Sequence, residues 1–197
     1  MPFEMKPLAC DPKRLRGLSE KLIVSHYENN YGGAVKRLNS IGAKLADLDF
    51  GSAPVFVVNG LKREELIAAN SMILHECYFD GLGGDGHLPS GKLHARLIQD
   101  FGSLERWRVE FTAMGKALGG GSGWVLLVWS ERANRLVNQW AADHTHLLAG
   151  ATPILALDMY EHSYHIDYGA KAAAYVDAFM ENIHWQRVAQ TYEKCLS

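Results

Sequence analysis

Pro153-Ile154-Leu155-Ala156-Leu157-Asp158-Met159-Tyr160-Glu161-His162-Ser163-Tyr164 is the stretch on which the fold of this chain turns. Its five leading residues form a short apolar run of the kind that makes a buried strand. The run ends in a carboxylate and an imidazole four residues apart, Asp158 and His162, a pair suited to one metal ion. The pair needs partners, and of the nine histidines, His26 and His75 each stand in a segment that reads as helix. A single histidine on an apolar helix face is more often a hydrogen-bonded core residue than a ligand, so the argument rests on the set. Three neutral imidazoles with one carboxylate suit Fe, Mn, Zn or Co and leave a coordination position open for solvent.

Upstream of the quoted stretch, Gly123 to Trp129 and Arg135 to Trp140 are also short, β-branched and aromatic, with Ser130 to Asn134 between them as a hairpin turn. Together with Thr152 to Leu157 they predict three antiparallel strands. Before them the period is helical. Leu18, Leu22, Ile23, His26 and Tyr27 share one stripe, and Val35, Leu38, Ile41, Leu45 and Leu48 continue it after an expected break at Gly32-Gly33. Leu61 to Phe79 repeats the pattern and stops at Gly81-Leu82-Gly83-Gly84-Asp85-Gly86, a helix stop and the best linker in the chain. Leu93 to Asp100 and Ser103 to Leu118, the latter capped by Ser103, are helical again, as are Gly169 to Met180 and Asn182 to Glu193. The expected fold class is α+β: an N-terminal helical hairpin domain over residues 1–86, then a C-terminal domain over 87–197 whose three-stranded antiparallel sheet is flanked by helices. The metal site is expected between the two.

Composition excludes several classes. With 197 residues, 48% of them apolar, the chain can bury a sizeable core, and its formal charge of −2 comes with dispersed lysines and arginines. Nucleic acid and anionic membrane surfaces, which need a basic stripe, are not expected partners. No apolar run approaches the roughly 20 residues of a membrane span, and the N-terminal residues lack the pattern of an export signal. Three widely spaced cysteines fit neither a disulfide framework nor a zinc ribbon, so the expected location is a reducing cytoplasm.

The wider text resembles the iron/manganese superoxide dismutase family. The segment from Leu18-Ser19 through His26 and Val35 to Leu38-Asn39 is similar to the family's first helix with its first ligand histidine. His75 followed by Tyr78-Phe79 is similar to the second-ligand segment with its aromatic wall. Asp158-Met159-Tyr160-Glu161-His162-Ser163-Tyr164 matches the final signature, with Tyr160 where Trp or Phe is usual. Asp100-Phe101-Gly102-Ser103 and Gly121-Ser122-Gly123-Trp124 match two further segments, the second placing Trp124 against the site. The resemblance implies His26, His75, Asp158 and His162 as ligands of one Fe or Mn per chain, iron slightly favoured. It implies superoxide as substrate, one molecule leaving as oxygen and a second as hydrogen peroxide, in a homodimer or tetramer.

The residues around those ligands depart from the family. Its first-ligand helix usually continues with a gateway histidine and tyrosine, where this chain has Asn30 and Ala34. Tyr31 is expected either to swing into the gateway from the Gly32-Gly33 break or to be ordinary packing. Glu161 keeps the residue that the family uses to bridge to the other subunit's ligand histidine, whereas His165 replaces a tyrosine, an exchanged pairing with Asn30. The glutamine that hydrogen-bonds solvent at the metal falls at Ser71 or Ala142, neither able to replace it. With a loop shorter by two residues, His144 takes its place, and His146 is the second candidate. The expected function is therefore superoxide dismutation, with two alternatives: a dismutase-fold metal-binding protein with little turnover and, lower still, a mononuclear metal hydrolase, for which no acid/base carboxylate stands beside the ligands.

Overall fold

The computed structural model describes residues 2–196. Helix α1 (Glu20–Ser25) opens where Ser19 Oγ accepts from the Leu22 amide at 3.1 Å, satisfying one of the free donors of the first turn. A π turn, His26–Tyr31, follows and runs directly into α2 (Gly32–Ala46). The expected break at Gly32-Gly33 is not there. Gly32 has ordinary helical dihedrals (φ −61°, ψ −34°), and what its missing side chain leaves is room for Met5, whose Sδ lies 3.0 Å from where a Cβ would stand. The irregularity falls one turn earlier, in the wider turn that begins at His26. Such single π turns inside helices are often found at functional sites.

Helix α3 (Val55–Asp80) packs against α2 and begins at Val55, earlier than the expected Leu61. Pro54, with its fixed φ of −57°, leads into it. The apolar stripe hid this start because Val55 and Phe56, the first two helical residues, are 84% and 74% exposed. The glycine run after α3 is not a loose linker. Leu82 is buried and bridged to Ile183, the Gly84 amide donates to Asn182 O at 3.0 Å, and the His184 amide donates back to Gly81 O at 2.7 Å. A Cβ on Gly84 would stand 2.2 Å from Ile183 O, so glycine permits two backbones to touch there.

Helices α4 (Lys92–Phe101) and α5 (Leu104–Ala117) lead to the sheet, Ser103 capping α5 through the Arg106 amide at 3.0 Å. Strands β1 (Trp124–Ser130), β2 (Arg135–Ala141) and β3 (Ala151–Asp158) are antiparallel in the order β2-β1-β3. The central position of β1 explains why all seven of its residues are buried. Pro153 is tolerated in β3 because this strand lies at an edge, beside a register shift at Leu127/Val128. The register sets Trp124 opposite both Ala141 and Asp158, so that an indole and the expected ligand share one end of the sheet. A 3-10 turn (Glu161–Ser163), a short α6 (His165–Tyr168), α7 (Ala172–Glu181) and α8 (Trp185–Cys195) close the chain. Buried side chains from the helices and the sheet form one continuous core. Among the described residues, no helix is long and apolar enough to cross a membrane.

The packed glycine run makes a direct prediction. Gly84→Ala should lower stability by about 1–3 kcal/mol through overpacking, whereas Gly42→Ala, an exposed α2 position with open space around its Cβ, should raise it by about 0.5–1 kcal/mol. Urea unfolding of matched metal-free samples would read both, and equal midpoints would contradict the contact.

Candidate metal centre

Asp158 ends β3 with its side chain fully buried. Its backbone carbonyl accepts from Tyr175 Oη and from Ser163 Oγ, both at 2.8 Å, and its Oδ1 accepts from the Tyr160 amide at 2.9 Å. Those contacts turn Oδ2 toward three imidazoles: His26 Nε2 lies at 3.1 Å, His162 Nε2 at 3.2 Å and His75 Nε2 at 3.6 Å. One ligand atom from each of the four residues falls within 4.8 Å of the others, in the only such group among the described residues. Atoms bonded to one first-row ion at roughly 2.0–2.2 Å stand about 3–4 Å apart, the spacing between Asp158 Oδ2 and the three nitrogens.

Each of the four candidate ligands is placed by a different local device. His26 sits at the start of the π turn and packs on Tyr78 and Phe79 at 5.0 Å each. His75, within α3, donates Nδ1–H to the Ser71 carbonyl at 2.6 Å, one helical turn back. That bond fixes the tautomer and leaves a lone pair on Nε2, which is buried with no hydrogen-bond partner. A buried unpartnered acceptor aimed at a carboxylate is costly unless a cation sits between them, so the donor set fits a metal ion. His162 rides on the 3-10 turn, its side chain 28% exposed at the edge of the group.

The electrostatics agree with neutral His26 and His75 imidazoles beside one anion. Burial pushes His75 down to about 3, with His26 adding to the effect. Burial also lowers His26, against the opposing pull of Asp158. For Asp158 burial acts upward, yet the charge and hydrogen bond of His162, with the His26 bond, hold the carboxyl far below the usual range.

Next to the ligands, Trp124 Nε1 donates to His144 Nδ1 at 3.0 Å. His144 therefore carries its proton on Nε2 when neutral, and burial lowers its pKa. Its ring stacks on Tyr160 at 4.9 Å, and Tyr160 stacks in turn on His162 at 5.4 Å. Asn70 Nδ2 holds the His144 carbonyl at 2.5 Å, a contact that the helical spacing of Asn70 with Leu66, Ile73 and Cys77 does not disclose. Tyr175 is a second residue that the sequence did not single out, since its donation to Asp158 depends on how α7 packs. A cavity of about 180 Å³ leads to the group, lined in part by Asn30, Ala34, His144 and His162.

Four expected residues do not line the cavity. His146 turns to the surface, where Nδ1 meets Asp143 Oδ1 at 3.1 Å, so of the two candidate loop histidines only His144 reaches the site. Tyr31 does not swing into the cavity. Because the helix runs unbroken through Gly32, its ring stays buried and stacked on His75 at 6.4 Å, with the hydroxyl accepting from the Lys6 amide at 2.8 Å and donating to Glu76 at 3.0 Å. His165 and Glu161 are both exposed on the surface, while Tyr164 is buried against Tyr175 at 5.4 Å.

Comparison with known proteins adds a second line of argument. Residues 89–191 match the family described as iron/manganese superoxide dismutases, C-terminal domain. A protein of Cupriavidus metallidurans named as an iron superoxide dismutase is 73% identical over 192 residues, covering 98% of this chain and 97% of its own. One of Aquifex pyrophilus with the same name is 36% identical, covering 94% of this chain and 89% of its own. A protein of Haloarcula marismortui named as a manganese superoxide dismutase is 36% identical, covering 98% and 95%.

Removing the central carboxylate should abolish metal retention. Asp158→Ala is expected to purify with less than about a tenth of the parent's bound metal, since ligand loss exceeds the 10–100-fold effect of an outer partner. Elemental analysis of dialysed protein checks this, and parental metal content in the variant would remove Asp158 from the centre.

Proposed function

This chain belongs to the iron/manganese superoxide dismutase family, and from that premise we propose that His26, His75, Asp158 and His162 hold one ion per chain. It is a superoxide dismutase that works with iron or manganese. The observation that carries the reading is the convergence of three imidazole Nε2 atoms on one buried carboxylate oxygen. Iron is favoured, as the name of the 73% identical relative supports. Iron or manganese supplies the one-electron redox chemistry by which one superoxide leaves as oxygen and a second, with two protons, as hydrogen peroxide.

The chain's own residues do the rest. One carboxylate and three neutral imidazoles only partly offset a divalent or trivalent ion, so the site stays cationic and attracts a small anion. His144 stands in for the family's glutamine: with Nδ1 occupied by Trp124, its Nε2–H is the donor available to solvent or substrate in the cavity. Tyr160, stacked between His144 and His162, holds both ring planes. With Asn30 and Ala34 lining the cavity in place of a histidine and a tyrosine, protons arrive through water or from His165 of a neighbouring subunit.

The same reading extends to organisation. Residues 1–86 supply His26 and His75, residues 87–197 supply Asp158 and His162, and the site lies between these domains, a division supported by the family match over 89–191. Exposed Glu161 and His165 support a homodimer in which Glu161 bridges to the ligand histidine of the second subunit, with pairing to a tetramer as a further step. Three free thiols, Cys10, Cys77 and Cys195, support a cytoplasmic location. The rival, a cage with little turnover, draws on the replaced gateway.

Metal analysis combined with pulse-radiolytic superoxide decay separates the two, a full complement of metal with a negligible rate favouring the rival. His144→Ala should keep its metal and lose roughly tenfold or more in rate, as an outer-sphere donor does. His165→Ala, at equal metal content and confirmed oligomeric state, should slow turnover by a smaller factor, and a parental rate would make that histidine ordinary surface.

A further inference from the structure

The cavity over the metal group is lined by Asn29, Asn30, Ala34, Arg37, His144 and His162, among others, with no carboxylate side chain along its described lining. Arg37 lies three residues after Ala34, on the same side of α2. A second cavity of about 470 Å³ between α2 and α3 is also lined by Arg37, together with Lys44, Arg63 and one carboxylate, Glu64, so that cations outnumber anions along it. Arg63 is paired with Glu64 at 3.2 Å, whereas no ion pair among the described residues involves Arg37 or Lys44. Arg37 is solvent-exposed and belongs to both cavities.

We propose that Arg37 is the steering cation of the metal cavity, drawing small monoanions from the groove between α2 and α3 past Asn30 to the ion. The proposal rests on the dismutase reading for the identity of the anion, superoxide, but not for the attraction itself. A chain of net charge −2 repels an approaching anion at long range, so an unpaired guanidinium at the cavity mouth adds to the attraction of the cationic site where the approach begins. Low-dielectric walls concentrate that field, raising local anion concentration and on-rate. Arginine suits the task because it stays charged at any working pH and holds its shell of water weakly.

The test uses the iron-loaded protein and the variants Arg37→Gln, Arg37→Glu and Arg37→Lys at matched metal content. Azide, a small monoanion, is titrated by the visible spectrum of the iron, and superoxide decay is followed by pulse radiolysis across a range of ionic strength. Arg37→Gln should weaken azide binding and lower kcat/KM for superoxide by about two- to threefold, and Arg37→Glu by about fivefold, as expected for one charge acting over several ångströms of solvent. Both differences should shrink as salt shortens the screening length. Arg37→Lys should restore most of each, an outcome that a merely structural role would not produce. Azide affinity, rate and salt dependence equal to the parent's in both the Gln and Glu variants would overturn the proposal. A parent inert toward superoxide, yet with azide affinity that depends on Arg37, would remove the dismutase reading and support the steering role.

Discussion

A single buried anion organises this molecule. Asp158 lies in the core with Oδ2 facing three imidazole nitrogens at 3.1 to 3.6 Å, and an uncompensated carboxylate in that position would cost several kcal/mol. Everything adjacent serves either to orient it or to neutralise it. Tyr175 and Ser163 anchor its carbonyl, the Tyr160 amide holds Oδ1, and the histidines arrive from the π turn, from α3 and from the 3-10 turn after β3. A cation held by these four residues would complete the arrangement, because neutral imidazoles alone leave His75 Nε2 buried with nothing to bond.

The same constraint explains features that are odd as secondary structure. A regular helix from Glu20 to Ala46 would be the cheaper backbone, but the chain widens into a π turn at His26, the residue that must face Asp158. His75 uses the ordinary helical geometry of α3 differently, spending its Nδ1–H on the Ser71 carbonyl one turn back and so settling which nitrogen is basic. Beyond the ligands, Trp124, His144, Tyr160 and His162 form a sequence of one hydrogen bond and two stacked contacts. Movement of any one ring would disturb the next, so the polar and aromatic surroundings act as a unit.

The architecture was largely legible in the chain. Alternating and continuous apolar runs marked three strands because strand burial has a period short enough to survive in five or six residues, and the 3.6-residue stripes marked the long helices for the same reason. The strand ending in Asp158, with His162 four residues on, gave one ligand pair by its spacing, and the resemblance to the dismutase family picked out His26 and His75 as the other two members of the quartet that the structure brings together. The start of α3 was missed where Val55 and Phe56 face solvent at the helix tip and break the amphipathic pattern.

What only the tertiary structure decided is the direction in which side chains point. Local spacing could not tell His144 from His146, because the choice depends on whether Trp124 or Asp143 supplies the partner. It could not say that Tyr31 would bond Lys6 and Glu76 rather than enter the cavity, or that Gly84 would let its backbone touch Ile183 across the fold. Nor could it set Arg37 over the cavity that holds the ligands. Sequence periodicity reports which face of an element is apolar, a property of neighbours along the chain. Hydrogen bonds and charges between residues far apart in sequence depend on how those elements pack, and no local pattern carries that information.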